Sequence, residues 1–315
     1  MRIFGSLYLL LLLWPMSAAA RDIFVDNVAG DDRAAGRQSH HAPDGSGPVQ
    51  TIGKALRQAR SGDTIVVANT QRPYRESISL VGSCHSGTTQ EPFIIRGNGA
   101  VLDGSTPVPP AAWQNYAGPV FRFRPSHLGY QQLFLDDRPA VRVFAAPTAG
   151  GPPELQPRQW CLLDGQIYFC VDLTKLPRDY HLSYAHNQTG ITLYHVEHVL
   201  IADMVVQAFQ IDGINLHNSA RNVSLVGVTC RGNGRSGVTV GGASLLDIHH
   251  TLLSDNGQAQ LLTLPYSETH VRHSRLLAHT APSWVDQGGR VYLEGNRATG
   301  GLDKFPSPLS LENQP

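Results

Sequence analysis

Short apolar runs recur at a fixed spacing in the second half of the chain. Four related segments begin at residues 190, 213, 237 and 261, so the successive periods are 23, 24 and 24 residues. Within each segment, apolar and polar residues alternate over short stretches that are separated by polar turns. Alternation with a period of two predicts strands with one buried face, and a repeat of this length predicts the stacked coils of a β-solenoid.

Three sets of apolar residues occupy equivalent places in the successive coils, which predicts a triangular solenoid with three strands per coil. No coil could bury its apolar face alone, whereas stacked coils would enclose a continuous core. The inward residues predicted are Ile191, Leu193, Ile214, Leu216, Val238, Val240, Leu262 and Leu264 on the first strand; Val199, Ile201, Val223, Leu225, Leu246, Ile248, Thr269, Val271, Val291 and Leu293 on the second; and Val205, Val228, Leu252 and Leu276 on the third.

A short amphipathic helix is predicted near the start of the chain. Ile52, Ala55, Leu56 and Ala59 form an i, i+3, i+4, i+7 stripe, and Ser61-Gly62-Asp63 would end the helix before a β-rich run. Such a helix could cover the open apolar cross-section at the end of a solenoid.

These residues resemble the right-handed parallel β-helix (pectin-lyase-like) superfamily. The segments IFVDNVAGDD, GDTIVVAN and FIIRGNGAVLDGS are similar to the opening of many secreted β-helix proteins. The expected fold class is therefore all-β: a single-stranded right-handed parallel β-helix with three sheets and a short N-terminal capping α-helix. The resemblance concerns the fold, which hosts unrelated activities.

The chain divides into a leader, one long domain and a tail. Residues 1–20 combine a basic start, a short apolar stretch and small residues, which predicts a signal peptide and a secreted or periplasmic protein. Residues 21–302 are expected to form the β-helix domain, with insertions near 103–118 and 147–180. Residues 303–315 contain too few apolar side chains for another coil and are predicted to be irregular.

The charge balance and the apolar content of the chain limit the partners that it can bind. Lys+Arg 25 against Asp+Glu 25 provides no basic field for nucleic acid. The apolar stretch within residues 1–20 is too short to span a membrane, and the sequence shows no other candidate span. We expect a monomer.

Cys161 and Cys170 flank Asp164-Gly165, a strong hairpin signal, which predicts a disulfide between them and leaves two free thiols as the alternative.

Candidate chemistry lies on the outward side of the glycine-led strands. The resemblance implies that a polysaccharide would lie along this sheet. In a lyase, Arg231 or Arg235 would neutralise a uronate carboxylate, His217 would act as the base, and Tyr194 would protonate the leaving oxygen or stack on a sugar. The further substrate-binding candidates are Asp212, Asn215, Thr239, Asn256 and Trp284. The alternative is that Thr and Asn simply suit an exposed sheet and that the arginines belong to a solvated turn.

A second polar patch is predicted on the next sheet. Asp247 should neighbour His270, and Arg272 should lie between His249 and Glu294. Ordinary stabilising cross-strand pairs and weak metal binding are both open readings of this patch. No metal site is assigned, no cofactor is certain, and calcium is left open.

Two functions from different classes fit the sequence. The first is an exported protein that binds or processes an extracellular polysaccharide, with β-elimination of a uronate polymer as the chemistry if it is an enzyme. The second is a non-catalytic surface or matrix module that binds a glycan or a protein. The paired aspartates of β-helix polygalacturonases are missing from the glycine-led strands, so whether the protein is an enzyme stays open.

Overall fold

The computed structural model describes residues 20–127, 129–145 and 150–294, together with the backbone of 296–297. The predicted tail at 303–315 and the signal peptide up to residue 19 lie outside the described residues. The strands are β1 Asp22–Val25, β2 Thr64–Val67, β3 Ile78–Val81, β4 Phe93–Asp103, β5 Ser105–Pro107, β6 Gln114–Ala117, β7 Val120–Phe123, β8 Leu133–Leu135, β9 Arg138–Pro139, β10 Val141–Arg142, β11 Gln159–Leu163, β12 Gln166–Cys170, β13 Leu182–Ala185, β14 Ile191–Tyr194, β15 Glu197–Gln207, β16 Asp212–His217, β17 Arg221–Val226, β18 Thr229–Arg231, β19 Ser236–Val240, β20 Leu245–His249, β21 Leu252–Ser254, β22 Ala259–Thr263, β23 Glu268–Arg272, β24 Arg275–Leu276, β25 Trp284–Asp286, β26 Arg290–Leu293 and β27 Asn296–Arg297. Helix α1 spans Ile52–Gln58, and short 3-10 turns span Pro110–Ala112 and Pro177–Asp179.

The strands stack in parallel to form a β-helix with three faces, as the repeat predicts. The first face contains β3, β14, β16, β19, β22 and β25. The second contains β1, β2, β17, β20, β23, β26 and the first halves of β4 and β15. The third contains the second halves of β4 and β15, followed by β18, β21 and β24. The long strands β4 and β15 therefore pass through the corner between two faces.

A single apolar core runs through the coils. On the first face, Ile191, Ile214, Val238 and Leu261 are opposite one another in successive coils, and all four side chains are fully buried. Burying one such side chain contributes about 1.5–3 kcal/mol, so the free energy of folding rests on the repetition of this column. The parallel pairing and the burial of these residues confirm the predicted fold class.

The register of the fourth coil differs from the prediction by one residue. Leu261 pairs with Val238 and Thr263 pairs with Val240, whereas the sequence predicted Leu262 and Leu264 to face inward. This strand has apolar residues at both odd-numbered and even-numbered positions, so alternation alone could not distinguish the two registers. Thr263 tolerates its buried position because its hydroxyl accepts a hydrogen bond of 2.8 Å from the indole nitrogen of Trp284.

The third face also departs from the predicted pattern. Val206, Cys230 and Leu253 are fully buried in successive coils, whereas Val205 and Leu252, which were predicted to face inward, are only partly buried. In β15 the change occurs at the corner, where the pairing of β15 with β4 shifts register between Ala202 and Met204. Asp203, which lies at this corner with a positive φ, separates the buried Ile201 from the buried Met204, so the inward positions change from odd to even numbers for the rest of the strand.

Helix α1 covers one end of the core, as predicted. Ile52, Ala55 and Leu56 are buried, and the Thr51 hydroxyl caps the helix by accepting a hydrogen bond from the Lys54 amide. The carboxylate of Glu76 accepts hydrogen bonds from two further amides of the first turn, at 2.9 and 2.8 Å. In the part of the chain that the structure describes, no helix has the length and apolar character needed to cross a bilayer.

Between β4 and β14 the chain leaves the coil and builds two small sheets. One has the order β10-β11-β12-β7-β6 and the other has the order β5-β13-β8-β9, and all their pairs are antiparallel except β10 with β11. We call residues 105–185 the insertion. It has an apolar cluster of its own, which contains Val108, Phe123, Leu133, Trp160, Ile167, Phe169, Val171, Leu182 and Tyr184.

Glycines allow the insertion to approach the coils closely. A side chain on Gly234 would collide with the carbonyl of Tyr130, and one on Gly257 would collide with the side chain of Gln132. Gln210, at the same corner of the coil, donates to the Ala185 carbonyl at 3.3 Å. The insertion is therefore fitted against the turns that follow the third face.

Cys161 and Cys170 are both buried free thiols, so the predicted disulfide is not formed. The Asp164-Gly165 hairpin is confirmed, with positive φ at both residues. Cys161 is opposite Tyr168, two residues from Cys170, which makes the cysteines diagonal neighbours on one face. Diagonal neighbours lie about 7–8 Å apart, beyond the Cα separation of about 4.4–6.8 Å that a disulfide spans.

We expect Leu225→Ala to lower the free energy of unfolding by about 2–5 kcal/mol, because the fully buried side chain would leave a cavity between coils. Ser224→Ala, on the outward side of the same strand, is the matched control and should change it by less than about 0.5 kcal/mol. Denaturant unfolding followed by circular dichroism measures both. Equal losses would contradict the assigned faces.

In the folded protein, iodoacetamide should modify the exposed Cys84 well before the three buried thiols. Burial raises the pKa of Cys161 to about 11 and also raises the pKa values of Cys170 and Cys230, which suppresses the reactive thiolate. Peptide mapping without reductant checks this. A peptide pair linked through Cys161 and Cys170 would refute it.

Candidate functional site

Tyr194 and His217 are neighbours at the end of the first face, as their coil positions suggest. They are opposite each other in β14 and β16, their ring centroids are 6.1 Å apart, and both side chains are exposed. An aromatic ring beside an imidazole on an open surface offers a place for a ligand to stack. It does not enclose one.

Arg235 is held at the opposite end of the same face. Its Nε and Nη2 donate to the two carboxylate oxygens of Asp212 at 3.0 and 2.6 Å. Asp212 is fully buried and also accepts from Ser236 and Asn215, each at 2.9 Å. Burial alone would lower the pKa of Arg235, but its bonds to Asp212 outweigh this and raise it.

This ion pair separates residues that the sequence grouped together. Asp212 begins β16 and His217 ends it, so the two are about 16 Å apart along the strand. Arg235 therefore does not lean over the column of Tyr194 and His217. The bidentate contact with Asp212 occupies the donors that were expected to meet a substrate.

The remaining substrate-binding candidates of the first face are mostly covered. Asn256 is fully buried, where it accepts from the backbone and side chain of Asn233 at 3.0 Å in the coil before it. Trp284 is only 6% exposed, so no face of its ring is free for a sugar. Thr239 is buried, with its hydroxyl 2.8 Å from that of Ser236, while Asn215 is partly exposed beside Asp212.

Arg231 lies elsewhere, in a cleft of about 720 Å³ between the insertion and the third face. One wall is formed by the β8–β9 turn and β10, and the other by the outward residues of the third face and the turns that follow it. The lining comprises Asp103, Ser105, Gln132, Phe134, Asp137, Arg138, Pro139, Ala140, Val141, Arg142, Phe144, Ser183, Gln207, Ala208, Arg231, Gly232, Asp255, Asn256, Gly257, His279 and Thr280. Polar and aromatic side chains that converge on one concave space are typical of a ligand site.

A polar chain crosses three coils on the floor of this cleft. Gln207 donates to Asp103 at 2.7 Å and accepts from the Nε of Arg231 at 2.8 Å. Asp103 also lies 3.5 Å from the guanidinium of Arg75 and accepts from the Ser105 amide at 2.7 Å. Because the Asp103 carboxylate already bonds to these groups, Arg231 is oriented by the neutral amide of Gln207. The positive charge of Arg231 is therefore not neutralised by this contact.

Asp255 and His279 form an acid–imidazole pair at the edge of the cleft. They come from successive coils, and the Nε2 of His279 is 2.5 Å from Oδ1 of Asp255. The other carboxylate oxygen accepts from Ser254 at 3.1 Å. A carboxylate can only accept, so Nε2 carries a hydrogen, and in the neutral imidazole Nδ1 keeps its lone pair. This arrangement suits His279 for taking a proton from a ligand.

The polar patch on the second face has the predicted register, but its side chains mostly contact one another. Asp247 is opposite His270 and His249 is opposite Arg272, while the rings of His250 and His273 stack at 5.3 Å. Across the described ranges, no three His, Cys, Asp or Glu side chains gather closely enough to hold a metal ion.

Sequence reasoning missed the cleft because the insertion builds half of it. Asp255 and His279 are 24 residues apart, which is one coil, so the repeat period contained the signal for their pairing. Arg138 and Arg142 are brought to the same space only by the path of the insertion. No periodic pattern encodes that path.

No known protein family and no curated protein matches this sequence. Among solved structures, a glycoside hydrolase has a similar fold, with a TM-score of 0.59 and 12% identity over 85% of this chain and 74% of that one. A complex of XylC with xylose gives 0.43 at 12% identity over 86% and 69%, and a GH136 lacto-N-biosidase from Eubacterium ramulus gives 0.25 at 9% over 87% and 68%. At such identities the first likeness shows a shared fold alone.

We expect Asp212→Asn to lower the free energy of unfolding by about 3–5 kcal/mol, because Arg235 would lose its counter-charge in a largely buried site. Arg290→Gln provides the control, since its pair with Glu268 is 57% exposed on the arginine side and should contribute less than about 1 kcal/mol. Chemical denaturation of both variants tests this. Similar small losses would show that the Asp212 pair is not structural.

Proposed function

We propose that the protein is an exported enzyme that binds a uronate-containing polysaccharide in the cleft and cleaves it by β-elimination. The observation that carries this proposal is the imidazole of His279, which is held by Asp255 in a cleft that also contains the exposed guanidinium of Arg231. A base and a cation in one space are the minimum that this reaction needs.

The reaction assigns one role to each group. Arg231 pairs with the uronate carboxylate and lowers the cost of placing negative charge on it. Nδ1 of His279 takes the proton from the carbon next to that carboxylate. The electrons of the broken C–H bond form a C=C bond, and the bond to the glycosidic oxygen breaks. That oxygen takes a proton from solvent, so the products are an unsaturated sugar end and a new reducing end.

Asp255 acts on the imidazole and not on the sugar. It fixes the tautomer in which Nδ1 is free, and it stabilises the imidazolium that forms when the proton is taken. The insertion contributes by closing one side of the cleft, which removes water and strengthens the contact between Arg231 and a carboxylate. The coils supply rigid positions for all three side chains.

Hydrolysis is a second candidate, since the similar fold mentioned above is described as a glycoside hydrolase. The cleft also contains the carboxyl groups of Asp103, Asp137 and Asp255, and hydrolases use a pair of carboxyl groups. The partners of Asp103 and Asp255 described above make them less suited to that task. A glycan-binding module without catalysis is a third outcome, and the same assay separates it.

We expect purified protein incubated with a panel of uronate polymers to release products that absorb through their new C=C bond. His279→Ala should lower this rate by about 10²- to 10⁴-fold, because it removes the base. His41→Ala, in the exposed N-terminal loop, is the control and should retain the rate.

The products separate the alternatives. New reducing ends without absorbance would indicate hydrolysis, and binding without either product would indicate a non-catalytic module. A larger loss from His217→Ala than from His279→Ala would place the chemistry on the first face, where Tyr194 and His217 were predicted to act.

A further inference from the structure

One arginine on the insertion wall is packed in a way that the reaction does not explain. Arg142 ends β10, and its guanidinium carbon lies 5.0 Å from the ring centroid of Trp160 and 4.9 Å from that of Phe144. Trp160 is fully buried and Phe144 is 70% exposed. The two aromatic rings therefore hold a cation between the core of the insertion and the open cleft.

This cation has no counter-charge among the described residues. Its Nε is buried without a hydrogen-bond partner there, and it forms no ion pair within 4 Å with any described carboxylate. Burial lowers the pKa of Arg142 to about 10, which still leaves it charged at neutral pH. The nearby thiol of Cys161 supplies no negative charge at that pH, because burial raises its pKa to about 11.

The charges that line the cleft are unevenly satisfied. Asp103 lies near the guanidinium of Arg75. Asp137 and Asp255 lie near the imidazoles of His181 and His279, which balance a carboxylate charge only when they are protonated. Arg138, Arg142 and Arg231 form no such pair among the described residues. Positive charge without an ion-pair partner among the described residues is therefore present on both walls.

The geometry points to Arg142 as a receptor for a second anionic group of the ligand, separate from the carboxylate that Arg231 meets. The anion is a carboxylate or a sulfate ester on a neighbouring sugar, so the cleft selects a carbohydrate that carries repeated negative charge. This inference rests on the proposed function, because it assumes that a carbohydrate occupies the cleft.

The stacking explains why an arginine suits this position. Its flat faces contact aromatic rings while its donors lie in the plane, where a carboxylate or sulfate can accept two parallel hydrogen bonds. A buried charge without a partner also costs stability, and an anionic ligand would remove that cost on binding. The free protein should then be more stable without this charge, whereas a purely structural arginine should not behave in that way.

The test compares matched probes that differ only in charge. Uronate tetramers and their methyl esters, and sulfated and unsulfated tetramers of one neutral sugar, would be titrated calorimetrically into the wild type and Arg142→Gln. The catalytically impaired His279→Ala background prevents turnover during the measurement. Arg142→Lys is the conservative variant, since it keeps the charge and loses the planar donors.

We expect the wild-type cleft to bind one charged probe about tenfold to a hundredfold more tightly than its uncharged match. Arg142→Gln should lose most of this preference with little change for the uncharged probe, and Arg142→Lys should recover part of it. Thermal unfolding of Arg142→Gln without ligand should occur at the same temperature as the wild type or higher. The probe pair that shows the preference distinguishes a carboxylate from a sulfate.

An unchanged preference in Arg142→Gln, or no preference in the wild type for any charged probe, would overturn the inference. A folded Arg142→Gln protein that melts far below the wild type would also do so, because the arginine would then be structural. Turnover is scored separately with the His279 variant. Loss of the proposed reaction with a retained, Arg142-dependent charge preference would reject the reaction and leave the receptor in place.

Discussion

The fold depends on the burial of apolar side chains between neighbouring coils. A coil of 23 or 24 residues has an inward face that only the coils before and after it can cover. The columns beginning at Ile191 and Val199 run without interruption through the coils that follow. At one end the core is closed by Ile52, Ala55 and Leu56 of the helix. Because the coils repeat, outward side chains at equivalent positions lie next to one another on the surface. The chemistry of each face depends on which side chains occupy these rows.

The outward positions serve different purposes on different faces. On the first face, Asp212 and Arg235 neutralise each other, and the buried amides of Asn233 and Asn256 join adjacent coils. Because these polar groups bond to one another, they are not available to a ligand. On the third face, Gln207 and Arg231 line the cleft on the side opposite the insertion. A cleft forms there because the insertion covers a polar floor at a distance, whereas the turns around Gly234 and Gly257 allow direct contact.

The periodic parts of the molecule could be predicted from the sequence. The coil length, the first two columns and the capping helix follow from alternation and spacing, which depend on local geometry. Errors occurred where parity was ambiguous, as at Leu261-Leu262, or where the irregularity after Ala202 exchanged inside and outside. Arg235 and Asn256 looked like ligand-binding groups because polar residues near a sheet look alike, whether or not another coil satisfies them. The contact of Arg142 with Trp160 depends on how the insertion folds back, and no repeat predicts it.

The central claim is that the carbohydrate lies between the insertion and the third face. A crystal structure of the His279→Ala protein with a charged oligosaccharide tests this claim most directly. The account predicts density for the sugar in the cleft, with one anionic group at Arg231 and another at Arg142. Density along the first face, over Tyr194 and His217 with the cleft empty, would contradict it.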